Sequence, residues 1–201
     1  MILTGRYLSP FVRRVAIWLA LQGRAYEHQP IMVTGDDFER LKQVNPFGRV
    51  PALTLDDGTT LVETWAIIDW LEETAPSGKR LLPAHGPARM RSLQGLAAAH
   101  HLAEKGVALV YETVRRPTEL HWRDWIERVR GQAQTGLDIL ESHAHLISVE
   151  RTPGVAAATI AAFDFVALMH ASLVGESYPA LKALSAAANA RPEFSASKPT
   201  L

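Results

Sequence analysis

A change of hydrophobic period near residue 80 narrows the fold more than any other feature of the chain. Before it, short runs with strand character alternate with runs at helical spacing; after Ser77-Gly78-Lys79-Arg80-Leu81-Leu82-Pro83, every strong pattern has the period of a helix. Side chains repeat every two residues along a strand and every 3.6 along a helix, so one segment cannot bury an apolar face in both forms. The chain is therefore expected to be α+β: a small mixed domain over 1–76, a linker over 77–86 and an all-helical domain over 87–201. A length of 201 residues and a hydrophobic content of 47% suffice for both cores.

Within the first part, Ile2-Leu3-Thr4-Gly5-Arg6-Tyr7 has strand character and Phe11 to Gln22 has helical spacing. Ser9 stands where an N-cap belongs, Pro10 where a missing N–H is tolerated, and Gly23 where a left-handed residue ends a helix. Tyr26 to Met32 predicts a second strand and Asp37 to Val44 a short polar helix, broken by Asn45-Pro46-Phe47-Gly48. Ala52 to Leu55 and Thr59 to Val62 flank Asp56-Asp57-Gly58, the chemistry of a tight hairpin turn, and Trp65 to Glu73 is helical until Pro76. The order is βαβαββα. In the second part the helical patterns cover roughly 87 to 114, 120 to 147, 158 to 174 and 178 to 189, with no internal repeat.

Composition removes several classes of function. The 21 Lys and Arg balance the 21 Asp and Glu, so no bulk field recruits nucleic acid. Local basic patches at Arg115, Arg116 and Arg128 to Arg130 are diluted by Glu112, Glu119, Asp124 and Glu127, and Trp122 with Trp125 reads as packing. With no cysteine there is no disulfide, thiolate-held metal or protein-thiol nucleophile. His100-His101 and His143-x-His145 lack the third ligand and the i,i+4 pairing of a zinc site, so no metal is expected. Met1 to Pro10 has no secretory-signal character, and no apolar run reaches the ~18 to 20 residues that span a bilayer. A cytoplasmic protein without a membrane partner is expected.

Three places could carry chemistry. The Ser9 hydroxyl lies among the unpaired N–H groups and positive dipole of a helix start, which favour an anionic sulfur or oxygen; alternatively it only caps its own helix. Pro51 cannot donate to a ladder and belongs at the first residue of its strand. A cis Val50–Pro51 bond would turn the Val50 backbone outward, towards an extended peptide, whereas a trans bond would make an ordinary turn. Glu63 and Thr64 put a carboxylate and a hydroxyl at a second helix start, suited to the ammonium and carboxylate of a zwitterion, or to simple capping.

Together, Ser9-Pro10-Phe11 after strand one, Asn45-Pro46-Phe47-Gly48-Arg49-Val50-Pro51 before strand three and Glu63-Thr64 after strand four resemble the glutathione transferase superfamily. The resemblance extends along the chain through Tyr111-Glu112-Thr113-Val114-Arg115-Arg116-Pro117, Trp125, Thr159-Ile160-Ala161 and Ala190-Arg191-Pro192-Glu193-Phe194, and is strongest to a bacterial serine-type subgroup. It implies a thioredoxin-like first domain, a helical bundle behind it, a homodimer, and glutathione as co-substrate without a metal. By the same resemblance Ser9 hydrogen-bonds the glutathione sulfur, with Phe11 beside it. Val50 binds the cysteinyl backbone ahead of a cis Pro51, and Glu63 with Thr64 holds the γ-glutamyl end. Asp36, Asp37 and Arg40 do not reproduce the usual motif for the glycyl carboxylate, leaving Arg49 or Lys42 to serve.

The activity implied is attack of the bound thiolate on a small hydrophobic electrophile, with detoxification as its setting and a peroxidase side activity that needs only the same thiolate. Thioltransferase activity is not expected, because that branch places a cysteine near position 9. Tyr7 is the rival partner for the sulfur. His100 and Tyr111 on the fourth helix are expected at the electrophile, between the domains, although surface or interface roles compete. A noncatalytic binding module of the same fold is the second reading. Finally, the helix motif beginning at Thr159 lacks half of its capping box, since Ala162 stands where an acid is usual; Asp164 is the nearest substitute.

Overall fold

The computed structural model describes residues 1–201, which form two compact units: Met1–Leu82 with Arg191–Leu201, and Pro83–Ala190. The terminal residues Arg191–Leu201 thus group with the first unit, where the sequence reading had run the helical domain to the end of the chain.

In the first unit the elements are β1 (Ile2–Thr4), α1 (Pro10–Gln22), β2 (Glu27–Gln29), α2 (Asp37–Val44), β3 (Ala52–Thr54), β4 (Thr60–Val62) and α3 (Thr64–Glu73), the anticipated βαβαββα order. The sheet order is β2-β1-β3-β4. β1 and β2 are parallel, as the α1 crossover requires, whereas β3 pairs antiparallel with β1, Leu3 opposite Leu53, and with β4, Leu53 opposite Leu61. The strands are shorter than their sequence patterns. Gly5, at φ 124°, turns the chain out of β1, and Pro30 cannot donate an N–H to prolong β2.

Ser9 is the N-cap of α1 and Gly23, at φ 70°, its left-handed stop, with the Gly23 N–H returned to Ala20 and Leu19. Leu3, Val12, Val15, Ile17, Trp18, Leu53, Ile67 and Leu71 are inaccessible and make the core of this unit. The short helix α9 (Pro192–Ser195) carries the buried Phe194 into the same unit. The stretch read as a linker is tied down: Glu72 accepts the N–H groups of Leu81 and Leu82, each at 3.0 Å.

The second unit contains α4 (Gly86–Val110), α5 (Arg123–Ser142), α6 (Pro153–Met169), α7 (Ala171–Val174) and α8 (Pro179–Asn189); a π-helical turn over Tyr111–Arg115 and a 3-10 turn over Thr118–Leu120 join α4 to α5. From Gly154 to Phe163 α6 is buried on every side, which explains the largely apolar sequence there. α4 lies against it at two glycines: a Cβ on Gly95 or on Gly106 would stand 2.8 Å from a methyl of Val155 or Val166.

The expected start of this helix near Thr159 is corrected. The helix begins at Pro153 with Thr152 in the N-cap position, and Thr159 lies mid-helix, fully buried. Ala162 is likewise a core residue, at 1% exposure, so no capping box was missing there. Asp164 serves a different purpose, accepting from Ser185 at 2.5 Å and Asn189 at 2.8 Å to fasten α8 to α6.

Candidate functional site

Ser9 has extended backbone angles and its Oγ accepts from the Val12 N–H at a long 3.4 Å, so it caps α1 only weakly. Ser9 and Phe11 are both half-buried. Tyr7 is engaged elsewhere. Its hydroxyl is 2.9 Å from that of Tyr26, and its ring stacks on His28 with centroids 3.8 Å apart and planes 6° from parallel. Burial, and then the bond to Tyr7, hold the Tyr26 phenol above its ordinary range. Of the two hydroxyls weighed for the sulfur, Tyr7 and Ser9, only that of Ser9 is left with a weak partner.

The second part of the candidate site is the loop into β3. The Val50–Pro51 bond is cis, and the first ladder residue is Ala52, opposite Thr4. Asn45 shapes the approach: its amide donates to the Arg49 carbonyl at 2.7 Å while its oxygen accepts from the Phe47 N–H at 3.0 Å. Gly5 joins this loop to α1, because a Cβ there would lie 2.6 Å from a Val12 methyl and 2.8 Å from Val50 Cβ. Only a glycine lets the β1–α1 turn approach both.

The third part is the start of α3. Glu63 holds φ 70°, a left-handed conformation rare outside glycine, and its side chain makes no capping bond to the helix. Simple capping by Glu63 therefore does not explain it. Thr64 is the first helical residue and 2% exposed. The Arg49 guanidinium comes within 4.0 Å of the Glu63 carboxylate, both largely in solvent, where such a pair contributes little. Lys42 pairs with Glu39 at 2.8 Å and lies 5.2 Å from the Phe38 ring centroid. Ser9, Phe11, Val50, Pro51, Glu63 and Thr64 thus belong to one unit, at the two helix starts and the strand-three loop.

Residues 3–80 match the family model for the glutathione S-transferase N-terminal domain. A solved glutathione transferase family member from Pseudomonas fluorescens Pf-5, with bound glutathione, superposes with a TM-score of 0.88 at 29% identity, covering 100% of this chain and 99% of that one. These matches support membership of the glutathione transferase superfamily. Among curated relatives, maleylacetoacetate isomerase of Pseudomonas aeruginosa is 38% identical over 96 residues, 46% of this chain and 44% of that protein. The uncharacterized GST-like protein YibF of Escherichia coli is 29% identical over 143 residues, covering 70% of this chain and 68% of that protein. The chain thus spans less than half the length of the first of these relatives and about two thirds of the second.

In the transferase fold of this chain, the two residues expected at the electrophile sit on one helical track. His100 is half-buried within α4 and Tyr111, 49% exposed, opens the π-helical turn. At ~1.5 Å per residue their backbones stand roughly 16 Å apart along the axis. A cleft of about 530 Å³ in the helical unit, lined by Arg91, Gly95, Ile139, Leu146 and Arg151 among others, includes neither.

Sequence reasoning missed Gly5, His28 and Asn45. Gly5 had a signal, a glycine between a strand and a helix start. Asn45 had one in its Asn-Pro turn. His28 had none, because a stack with Tyr7 depends on the pairing of β1 with β2.

Proposed function

We propose that the protein is a glutathione transferase in which Ser9 and the start of α1 stabilise the glutathione thiolate for attack on small hydrophobic electrophiles. One observation carries this reading: within a single unit, the serine hydroxyl at the start of α1 has only a long 3.4 Å bond to its own helix, whereas the rival Tyr7 hydroxyl is bonded to Tyr26 at 2.9 Å. The relatives' names and the glutathione held by the Pseudomonas fluorescens structure support it.

Energetics are adequate. A thiol of pKa about 8.5 is only a few per cent ionised at neutral pH, and lowering it by two units takes about 2.7 kcal/mol. One charge-assisted hydrogen bond supplies about 1.5 to 3 kcal/mol and a helix start up to about 2. In this reading Val50 bonds the cysteinyl backbone, Thr64 and the α3 amides take the γ-glutamyl carboxylate, Glu63 takes its ammonium, and Arg49 takes the glycyl carboxylate. The sulfur then forms a bond to an electrophilic carbon, which either expels a leaving group with the bonding pair or passes the charge on to be protonated. Reduction of hydroperoxides by the same thiolate is a side activity. The working form is a cytoplasmic homodimer; no helix of the chain is long and apolar enough to cross a membrane.

Glutathione-affinity retention, thiolate absorbance against pH and turnover of aryl halides, epoxides, isothiocyanates and hydroperoxides test the reading. Ser9→Ala is expected to raise the bound thiol's pKa and lower kcat/KM by about 10- to 100-fold, matching the hydrogen bond removed, while Tyr7→Phe leaves the pKa in place. An unchanged pKa in Ser9→Ala with a raised one in Tyr7→Phe would transfer the role to Tyr7. Binding without turnover of any electrophile would make the chain a glutathione-fold binding module.

A further inference from the structure

We infer that His28, on β2, is a positioning residue for the thiol site, acting by holding the Gly5 peptide against both Val12 and Val50. The inference rests on the Ser9 reading and adds a residue that the superfamily resemblance did not bring forward.

Gly5 packs against the side chains of both Val12, in α1, and Val50, in the loop before β3. A Cβ at Gly5 would fall 2.6 Å from Val12, whose N–H binds the Ser9 hydroxyl, and 2.8 Å from Val50. A shift of this peptide therefore disturbs the packing of Val12, beside Ser9, and of Val50, which the proposed function assigns to the cysteinyl backbone. Both polar groups of Gly5 are held from the neighbouring strand. Its N–H donates to the Gln29 carbonyl at 2.9 Å, and its carbonyl lies 2.8 Å from His28 Nε2. A carbonyl only accepts, so Nε2 carries the proton.

The same imidazole is the platform on which Tyr7 stacks, and Tyr7 in turn is hydroxyl-bonded to Tyr26. One side chain thus grips the chain at Gly5 and at Tyr7, on the two sides of Arg6, whose carbonyl accepts the Ser9 N–H at 3.0 Å. The Ser9 hydroxyl has only a long bond to its own helix, so its aim depends on the backbone that carries it. A misplacement of roughly 1 Å at a reacting group can cost about 100-fold in rate.

Two substitutions separate the donor from the platform. His28→Phe keeps a flat ring for Tyr7 and removes the proton held to Gly5; His28→Gln keeps an N–H near the place of Nε2 and removes the ring. Thiol pKa of bound glutathione, kcat, KM for glutathione and thermal midpoint are measured for both, with Ser9→Ala alongside. His28→Phe is expected to raise the thiol pKa by about one unit and lower kcat about tenfold, and His28→Gln to restore most of both whatever its thermal midpoint. A purely structural role would move the midpoint and leave the thiol pKa in place, and that result overturns the inference. So does an equal pKa shift in both variants.

If Ser9→Ala raises the pKa and His28→Phe does not, this inference alone falls. If wild-type protein does not acidify the thiol at all, the proposed function falls with it. Should His28→Phe fail to fold, 15N-histidine spectra of the wild-type protein decide. A single Nε2–H tautomer whose shift responds to S-methylglutathione supports the role; averaged tautomers, or no response, refute it.

Discussion

Two side chains of the first unit show how differently a buried charge can be treated. Glu72, 6% exposed, accepts from Trp18 Nε1 at 2.9 Å, Gln22 Nε2 at 3.2 Å and the N–H groups of Leu81 and Leu82, so its carboxylate is fully solvated by protein. Arg14, 3% exposed, has no carboxylate; its guanidinium lies 4.8 Å from the Trp65 ring centroid and 5.9 Å from that of Trp18, and burial holds it below its ordinary pKa. Removing an acceptor strands several buried donors, whereas removing an unpaired cation relieves desolvation as it loses ring contacts. Glu72→Ala is therefore expected to cost about 3 kcal/mol in urea unfolding, and Arg14→Met to stay within about 1 kcal/mol of wild type. Neither role is legible in sequence, where no spacing rule singles out Glu72 or Arg14. What made them special was the docking of α1 on α3.

At the scale of elements, α8 shows a cap supplied from elsewhere. Its N-cap position is Tyr178, at φ 62° with no side-chain cap, and the Ala180 and Leu181 N–H groups each donate to the Glu141 carboxylate of α5 at 2.9 Å. The Tyr178 hydroxyl is meanwhile pushed up to about 12 by burial and by its bond to Asp138. Glu141→Ala should cost about 1 to 2 kcal/mol, with amide exchange rising first in α8. Helix glycines divide by what they touch. Gly106→Ala would place a methyl 2.8 Å from Val166 and 3.1 Å from Phe165, and its overpacking is expected to outweigh the gain in helix propensity by about 1 kcal/mol. Gly131, with nothing within 4 Å, should gain about 0.5 to 1 kcal/mol on the same change. Thermal midpoints moving in the same direction would contradict the packing of α4 on α6. Period and turn chemistry had located these helices; the start of α6 was misplaced because Thr159 looked like a cap and is an interior residue.

For the molecule as a whole, His170 links pH to stability. Burial, opposed by a 2.8 Å bond to the Gly106 carbonyl and assisted by Arg130, holds its pKa below the ordinary 6.5. The unfolded chain therefore binds this proton more readily, so the stability His170 confers is complete above about pH 6.5 and is lost as pH falls through the lower folded value. His170→Gln should flatten that part of the denaturation profile; an unchanged slope would show that His170 is not responsible. The assembly has its own test: light scattering should give twice the mass of the chain, and a monomer would remove the homodimer from the proposed function.

Local chemistry alone determined the order of elements in the first unit, the caps of α1, the hairpin and the helical character beyond residue 80, because period, glycine and proline act over a few residues. The candidate residues Ser9, Val50, Glu63 and Thr64 were legible for the same reason, each standing at an element boundary. Tertiary structure alone decided that Tyr7 turns to Tyr26 and His28, that Gly5 presses between Val12 and Val50, and that Arg191–Leu201 joins the first unit. Those choices depend on which strand lies beside β1 and which helix finds an open face. Such contacts join residues far apart in the chain, where no spacing rule reaches.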